Sequence, residues 1–506
     1  MPCKIEMDFQ SNEKTSFITD SVKHYAAIGI LLVMASLFGL FVPTIDSSSQ
    51  MIGLSFVAFF VIVVVLAVIL ELPVITVVRF AFIASFFFKG ELNFYKIDEI
   101  EDPSGFNISL TFLTGIILLG YDLFIGNKVH RVSIFPTAFS VLIAALFFCA
   151  ILSVIYSGSF LISWFSVWSF STSVLIALAI ASHFSQRERL IQLVIGLAFG
   201  LLFTGIIALS QYLADFPTDL AFFGTGTEAE QIGTQSQILL RVPAFLRTAT
   251  EMAWVVSSLI PLTIAPVFCR VKGFKSWQKV VFLTGAFAGI NAIILSLARG
   301  SWISLIVSLV IVVMFGWIRL STSERKPYFI SIAGITVLTC LLLTPFADKI
   351  YVRLTEDDQG SALVRVPLME TALRMIEKNQ AVGVGLNRYR ANMTKYDETD
   401  IFVSRVFPNP VHNVFAHITA EIGIPGGIIF CLLILFSIFE CLKTMTMKDR
   451  LLFALALGAM AGIISFAISA LKEPGSLGSV RPPLRTCFLL FGIILAMSRI
   501  RRQLIF

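Results

Sequence analysis

Residues 407–430, FPNPVHNVFAHITAEIGIPGGIIF, end a polar segment and open an apolar one within a few positions. Pro408 and Pro410 hold the backbone extended just before His412. Beyond Asn413 the chain stays apolar to about residue 440, longer than the roughly 20 residues a helix needs to cross a bilayer core. This is where an extramembrane loop enters a membrane span, and the same alternation recurs along the chain. Runs of spanning length lie at 25–43, 51–70, 107–125, 133–156, 160–182, 190–213, 250–269, 280–297, 302–318, 328–346, 414–440, 451–471 and 484–498. A further run, 72–88, is short and places Arg79 near its middle, at about 2.5–3.5 kcal/mol unless the side chain snorkels or finds a partner.

Composition agrees. With 57% hydrophobic and 14% charged residues over 506 positions there is too little polar surface to cover a soluble globule. The expected fold is an all-α polytopic membrane protein of 12–14 transmembrane helices. Residues 1–24 are polar and mixed in charge, without the pattern of a cleaved signal peptide, so the first span is read as the anchor. Cys149, Cys269, Cys340, Cys431, Cys441 and Cys487 lie in or at the ends of apolar runs, which implies neither a disulfide framework nor a zinc site. The net charge of +6 is scattered through short loops; it orients the chain in the bilayer and does not form a patch for nucleic acid.

Loops carrying Lys128, His130 and Arg131; Arg187 and Arg189; Arg270, Lys272, Lys275 and Lys279; Arg319, Arg325 and Lys326; and Lys443, Lys448 and Arg450, together with the tail bearing Arg499, Arg501 and Arg502, alternate with loops poor in Lys and Arg. The positive-inside tendency makes the basic set cytoplasmic. Counting back, the N-terminus is cytoplasmic if 72–88 crosses and outside if it lies flat; crossing or a re-entrant pair is the reading taken. Segment 89–106 reads as an ordinary connection. The chain then divides into a cytoplasmic tail at 1–24, transmembrane helices with short loops at 25–346, a large outer loop at 347–413, and C-terminal helices with a basic tail at 414–506. The outer face receives 214–249, the tip around Arg299 and the loop.

That loop is structured. After Arg365 and Pro367, the residues Met369, Ala372, Leu373 and Ile376 recur at helical spacing and predict an amphipathic helix on the membrane or the bundle. Asn379, Gly383 and Gly385 end it, and the GVGLNRY turn carries Arg388. Of five histidines only His412 and His417 fall near the outer surface. His412 suits a general base on a hydroxyl, or else caps the next span; His417 reads as a packing histidine. Arg299, in the tight hairpin LSLARGSW, is either an anion ligand or a snorkelling anchor. Arg241, with Arg247 and Glu251 close by in RVPAFLRTATEMAW, is either an anion ligand or part of an ion pair at a helix entrance. The acidic groups Glu356, Asp357, Asp358 and Asp397, Glu398, Asp400 lack histidine at ligand spacing, and no metal is expected there. Gly224-Thr-Gly226 lacks the setting of a nucleotide site and reads as loop.

The spacing H-N-x9-G-x-x-G-x-x-x-F, formed by His412, Asn413, Gly423, Gly426 and Phe430, with Glu421 before Gly423, resembles the signature of the bacterial O-antigen ligase and polymerase family. The resemblance covers about 345–430 and extends more weakly to Arg299 and to Arg241, where Ala244 replaces the usual glycine and Thr-Glu the usual Pro-Asn. It implies a C-type membrane glycosyltransferase fold in the bacterial inner membrane with its site facing the periplasm. The implied reaction is a metal-independent, inverting transfer from an undecaprenyl-pyrophosphate-linked glycan, without a cofactor. The acceptor is lipid A-core for a ligase or a second lipid-linked glycan for a polymerase; a protein-glycosylating relative is a third form. On this resemblance His412 is the base, Arg299 and Arg241 hold the diphosphate, and Arg365 or Arg388 assists. Asn413, Glu421, Gly423 and Gly426 support the motif. The rival class, a transporter or flippase, calls for ionisable groups in the middle of several spans. Arg79 and Asp122 are the clearest midspan charges, whereas the informative residues collect at the outer face.

Overall fold

A computed structural model describes residues 73–87, 91–97, 104–125, 136–214, 219–220, 225–226, 230–233, 238–356, 363–478 and 482–505. The runs read at 25–43 and 51–70, the tail 1–24 and the loop with Lys128, His130 and Arg131 lie outside them.

The apolar runs fold as helices, since a helix satisfies its own backbone where no water can. Among the described residues nine are long and apolar enough to cross a membrane. They are α3 (Thr137–Tyr156), α4 (Phe160–His183), α5 (Arg187–Ala214), α6 (Ala249–Phe268), α7 (Ser276–Leu295), α8 (Arg299–Ile318), α14 (Val414–Met445), α15 (Arg450–Ala470) and α16 (Pro482–Ile505). The run read at 328–346 belongs to α9 (Thr322–Leu343), which is not among those nine. Helices α6, α15 and α16 are buried along nearly all their length and form the centre; α7 and α8 turn apolar side chains such as Val280, Ile306 and Met314 outward, as lipid-facing helices do. Small residues let the central pair approach closely: a Cβ at Gly462 would lie 2.4 Å from the Ser258 carbonyl oxygen, and one at Gly458 2.6 Å from Leu262 Cα.

The bundle has two distinct ends. At one, Arg187 pairs with Asp449 at 2.6 Å, Arg450 with Glu324 at 2.7 Å, and Arg319 donates to the Met447 carbonyl. The basic loops between α4 and α5, α8 and α9, and α14 and α15 therefore meet there. At the other end, Ser163 of α4 donates to the Leu386 carbonyl at 2.8 Å, which seats the long loop on the bundle.

Within the run read at 72–88 lie α1 (Val74–Ala84) and a 3-10 turn (Ser85–Phe87), and α1 packs against α2 (Leu110–Phe124). At 1.5 Å per residue, the 11-residue α1 is about 16 Å long, too short for a core of about 30 Å. Where the sequence reads an ordinary connection, β1 (Glu91–Ile97) runs antiparallel to β2 (Ser104–Ser109), and Phe106 stacks on Trp168 of α4 at 4.3 Å. Arg79 meets the condition for burial, donating to His183 Nε2 at 3.1 Å and to Gln192 at 2.5 Å. His183 Nδ1 in turn lies 3.0 Å from Asp122.

The long loop contains more than the one helix its periodicity predicts. Helices α10 (Ala347–Thr355), α11 (Arg365–Lys378), α12 (Tyr389–Tyr396) and α13 (Val403–Val406) follow one another. Leu368, Ala372, Met375, Tyr389, Met393 and Val403 make a small core that also takes in Val411 and Ala420 at the start of α14.

Candidate functional site

The glycine spacing has a local physical cause. Helix α14 breaks at Ile422 and Gly423, where Gly423 has φ +79°, and Pro425 removes a further backbone donor. The turn after α11 fills the break. Val384 N–H donates to the Ala420 carbonyl at 2.9 Å, Gly385 N–H to the Glu421 carbonyl at 3.1 Å, and Ile424 N–H to the Gln380 carbonyl at 2.8 Å. Contact is too close for side chains: a Cβ at Gly423 would lie 2.5 Å from the Ala381 oxygen, and one at Gly383 2.3 Å from the Glu421 carbonyl. The glycines of both motifs are thus one joint, made of backbone, between loop and span.

Asn413 caps α14, its side-chain oxygen accepting from Ala416 N–H at 3.1 Å. His412 is the residue before the cap, so the helix start fixes its position. The buried Tyr389 of α12 points its hydroxyl toward the Val411 amide, and burial raises the phenol's pKa. Its ring meets His417 edge-on at 4.9 Å. His417 Nε2 lies 3.3 Å from Glu421, which is 1% exposed and also accepts from the Ser476 hydroxyl. His417 thus packs between Tyr389 and Glu421, and Glu421 ties α14 to the loop before α16.

His412 lines an open cavity of about 250 Å³ together with Arg247, Glu251, Trp254, Asn409 and Glu473. Glu251 is buried and opens the first turn of α6, whose cap Thr248 accepts from the Glu251 amide at 3.1 Å. Among the described residues that line this cavity Arg247 is the one arginine.

Three further arginines, Arg241, Arg299 and Arg353, gather on the α7–α8 turn. Arg241 Nε donates to the Ser296 carbonyl at 2.7 Å, and Arg353 Nε to the neighbouring Leu297 carbonyl at 3.1 Å. Arg299 Nη1 reaches the Arg353 carbonyl at 3.5 Å. Arg241 and Arg353 are 7% and 6% exposed. The turn adjoins the cavity: a Cβ at Gly300 would lie 3.3 Å from Lys472 Cδ, next to Glu473. Arg365 is exposed at the start of α11, and Arg388 is half-buried just before α12. Neither meets the turn in a described contact.

The O-antigen ligase family model matches residues 284–431. The chain carries an O-antigen ligase domain. No curated protein matches the chain. The ligase domain begins within α7 and ends one residue past Phe430, so it contains the arginine turn, the loop core, His412 and the Gly423 joint. It leaves out Arg241, which precedes α6, Glu251 in the first turn of α6, and Glu473 in the connection between α15 and α16. The match supports glycosyl transfer of the ligase or polymerase type. Arg353 and Glu473 were not legible as site residues in the sequence, because each meets the site across a long separation and neither sits in a motif; Glu251 was legible only as a charge beside Arg241 and Arg247. Of the acidic loop groups, Asp357 and Asp358 lie outside the described residues. Asp397 accepts from the Ser404 and Thr399 amides at 2.7 and 3.1 Å, and Glu398 pairs with Lys378 at 3.2 Å.

Proposed function

We propose that this protein transfers a glycan from an undecaprenyl-pyrophosphate carrier to lipid A-core at the periplasmic face of the inner membrane. The observation that carries this reading is that His412 stands in the wall of an open cavity adjoining a turn ringed by arginines. A base and a cationic leaving-group site, side by side at one end of a membrane bundle, are what the reaction needs.

In the proposed step an acceptor hydroxyl oxygen attacks the anomeric carbon of the donor sugar from the face opposite the diphosphate. The bond from that carbon to the diphosphate oxygen breaks, and its electron pair leaves with the diphosphate. His412 takes the hydroxyl proton. Arg299 and Arg241 hold the departing diphosphate through guanidinium N–H groups, without a metal ion. Arg365 or Arg388 assists from the loop. The loop core keeps water from the donor, which would otherwise be hydrolysed. Asn413, Glu421, Gly423 and Gly426 hold the start of α14 and the loop in register.

The test is transfer by purified protein in lipid with an undecaprenyl-pyrophosphate glycan and either lipid A-core or a second lipid-linked glycan, with and without chelator. Product on lipid A-core alone, resistant to chelator, supports the proposal. A ladder of longer lipid-linked glycans makes the protein a polymerase with the same donor; no product from either acceptor overturns the reading.

A further inference from the structure

The connection from α6 into α7, RVKGFKSWQK at 270–279, contains no acidic residue. Phe268 at the end of α6 meets Tyr328 of α9 edge-on at 5.6 Å, which places this connection at the bundle end where Arg450 pairs with Glu324. The 20-residue α6, about 30 Å long, separates it from Thr250 and Glu251 at the His412 cavity. Local packing sorts its side chains. Val271 is buried, with its amide donating to the Pro266 carbonyl at 3.1 Å, and Phe274 packs edge-on against Phe282 at 5.3 Å. Between them the chain turns at Gly273, whose φ is +97°, and Lys272 and Lys275 are left exposed. Lys279 is exposed on the first turn of α7, and Arg270 is half-buried. Trp277 is 49% exposed, and Val280, nearly one turn further along the same side of α7, is 56% exposed. Trp277 thus stands one turn nearer the water than a lipid-facing side chain, the level at which tryptophan concentrates in membrane proteins.

The other basic loops at this end spend cations on acids of the chain: Arg187 pairs with Asp449, Arg450 with Glu324, and Lys443 with Glu440 at 3.2 Å. Among the described residues Arg270, Lys272, Lys275 and Lys279 pair with no acid. We propose that the α6–α7 hairpin is a docking surface for anionic phospholipid headgroups in the leaflet opposite the His412 cavity. Charge complementarity sets the occupant: clustered exposed ammonium groups attract phosphate, each strengthening binding to an anionic membrane surface about fivefold. Trp277 and Val280 set the depth. They put the cluster at headgroup level beside a wall that acyl chains cover, so the surface meets both parts of a lipid, whereas a soluble polyanion meets only the charges.

The experiment follows tryptophan fluorescence of the full chain in neutral-detergent micelles doped with brominated phosphatidylglycerol or brominated phosphatidylcholine, at low salt. The chain has other tryptophans, so the difference between wild type and Trp277→Phe isolates the signal of Trp277. That signal is quenched at a several-fold lower mole fraction of the anionic lipid than of the neutral one. Lys275→Gln lowers the preference about fivefold, and the combined change Lys272→Gln with Lys275→Gln lowers it further. Lys326→Gln with Lys448→Gln removes two exposed cations from other loops of the same end and leaves the preference unchanged. Equal quenching by the two lipids in the wild type overturns the proposal. Equal losses in the two double variants overturn it as well, because the attraction is then a diffuse field of the whole basic end. Competition by soluble glycerol phosphate at the phosphate concentration of the lipid makes the surface a site for a free anion and removes the lipid from it.

Discussion

Replacing Gly383 by alanine tests the joint between loop and span. The new Cβ would sit 2.3 Å from the carbonyl carbon and oxygen of Glu421 and 2.6 Å from Ile422 N, all backbone atoms that no rotamer change can move. The residue also has φ +71°, a left-handed conformation costing a non-glycine residue about 1–2 kcal/mol. Relief requires the turn to lift off α14, with loss of the bonds from Val384, Gly385 and Ile424, each worth about 1 kcal/mol net. The combined destabilisation is about 4–5 kcal/mol. Gly158→Ala is the control, because Gly158 has φ +69° and nothing within 4 Å of its added Cβ; it suffers the backbone term alone. Thermal unfolding of both variants in one detergent, with transfer measured alongside, isolates the contact. Gly383→Ala should melt far below Gly158→Ala and lose transfer, since lifting the turn carries Tyr389 away from the residue before His412. Equal melting of the two variants would refute the joint.

Other outcomes follow from the same geometry. Asn413→Ala removes a helix cap and should destabilise by about 1 kcal/mol with a modest fall in transfer, while Asn413→Ser restores both; abolished transfer at unchanged melting would instead give Asn413 a chemical role. Burial raises the Asp397 pKa, but hydrogen bonds from Ser404 and Thr399 outweigh it and bring the carboxyl down to about 2 from 3.8. A depressed folded-state value means that its stabilisation is present above 3.8 and disappears as pH falls through about 2. Pepsin cleavage around residues 397–407 should therefore accelerate between pH 3.8 and 2 in the wild type and already be fast at pH 4 in Asp397→Ala; pH-independent cleavage of the wild type contradicts the assignment. Arg79→Leu and His183→Ala should each lower the melting temperature and the yield in membranes, and the double variant should lose less than their sum, because the two side chains share one bond.

The spans were legible because a bilayer imposes length and apolarity residue by residue, so 160–182 and 451–471 could be marked within a few positions of α4 and α15. Helix α11 was legible from the spacing of Ala372 and Ile376, and the start of α14 from Asn413 after two prolines. What the sequence hid depends on contacts between distant segments. Gly383 and Gly423 sit 40 residues apart and appear as two motifs, although each lies against the backbone just before the other, Gly383 on Glu421 and Ile422 and Gly423 on Gln380 and Ala381. The arginines show the same limit. Arg365 carries a helix start and looks assigned, yet it is exposed, whereas Arg353 stands in an unremarkable polar stretch and is buried on the hairpin turn. The β1–β2 hairpin was read as a connection because its strands are short and mixed in polarity; its place is set by Trp168, on a helix sixty residues away.

The central claim is that His412 is the base of a glycosyl transfer, and the most direct measurement is transfer by His412→Ala reconstituted beside the wild type with the same lipid-linked donor and acceptor. The variant should remain in the membrane with wild-type melting, still be protected by inorganic pyrophosphate against heat, and form no product. Product at the wild-type rate would contradict the assignment and move the proton to another group in the cavity.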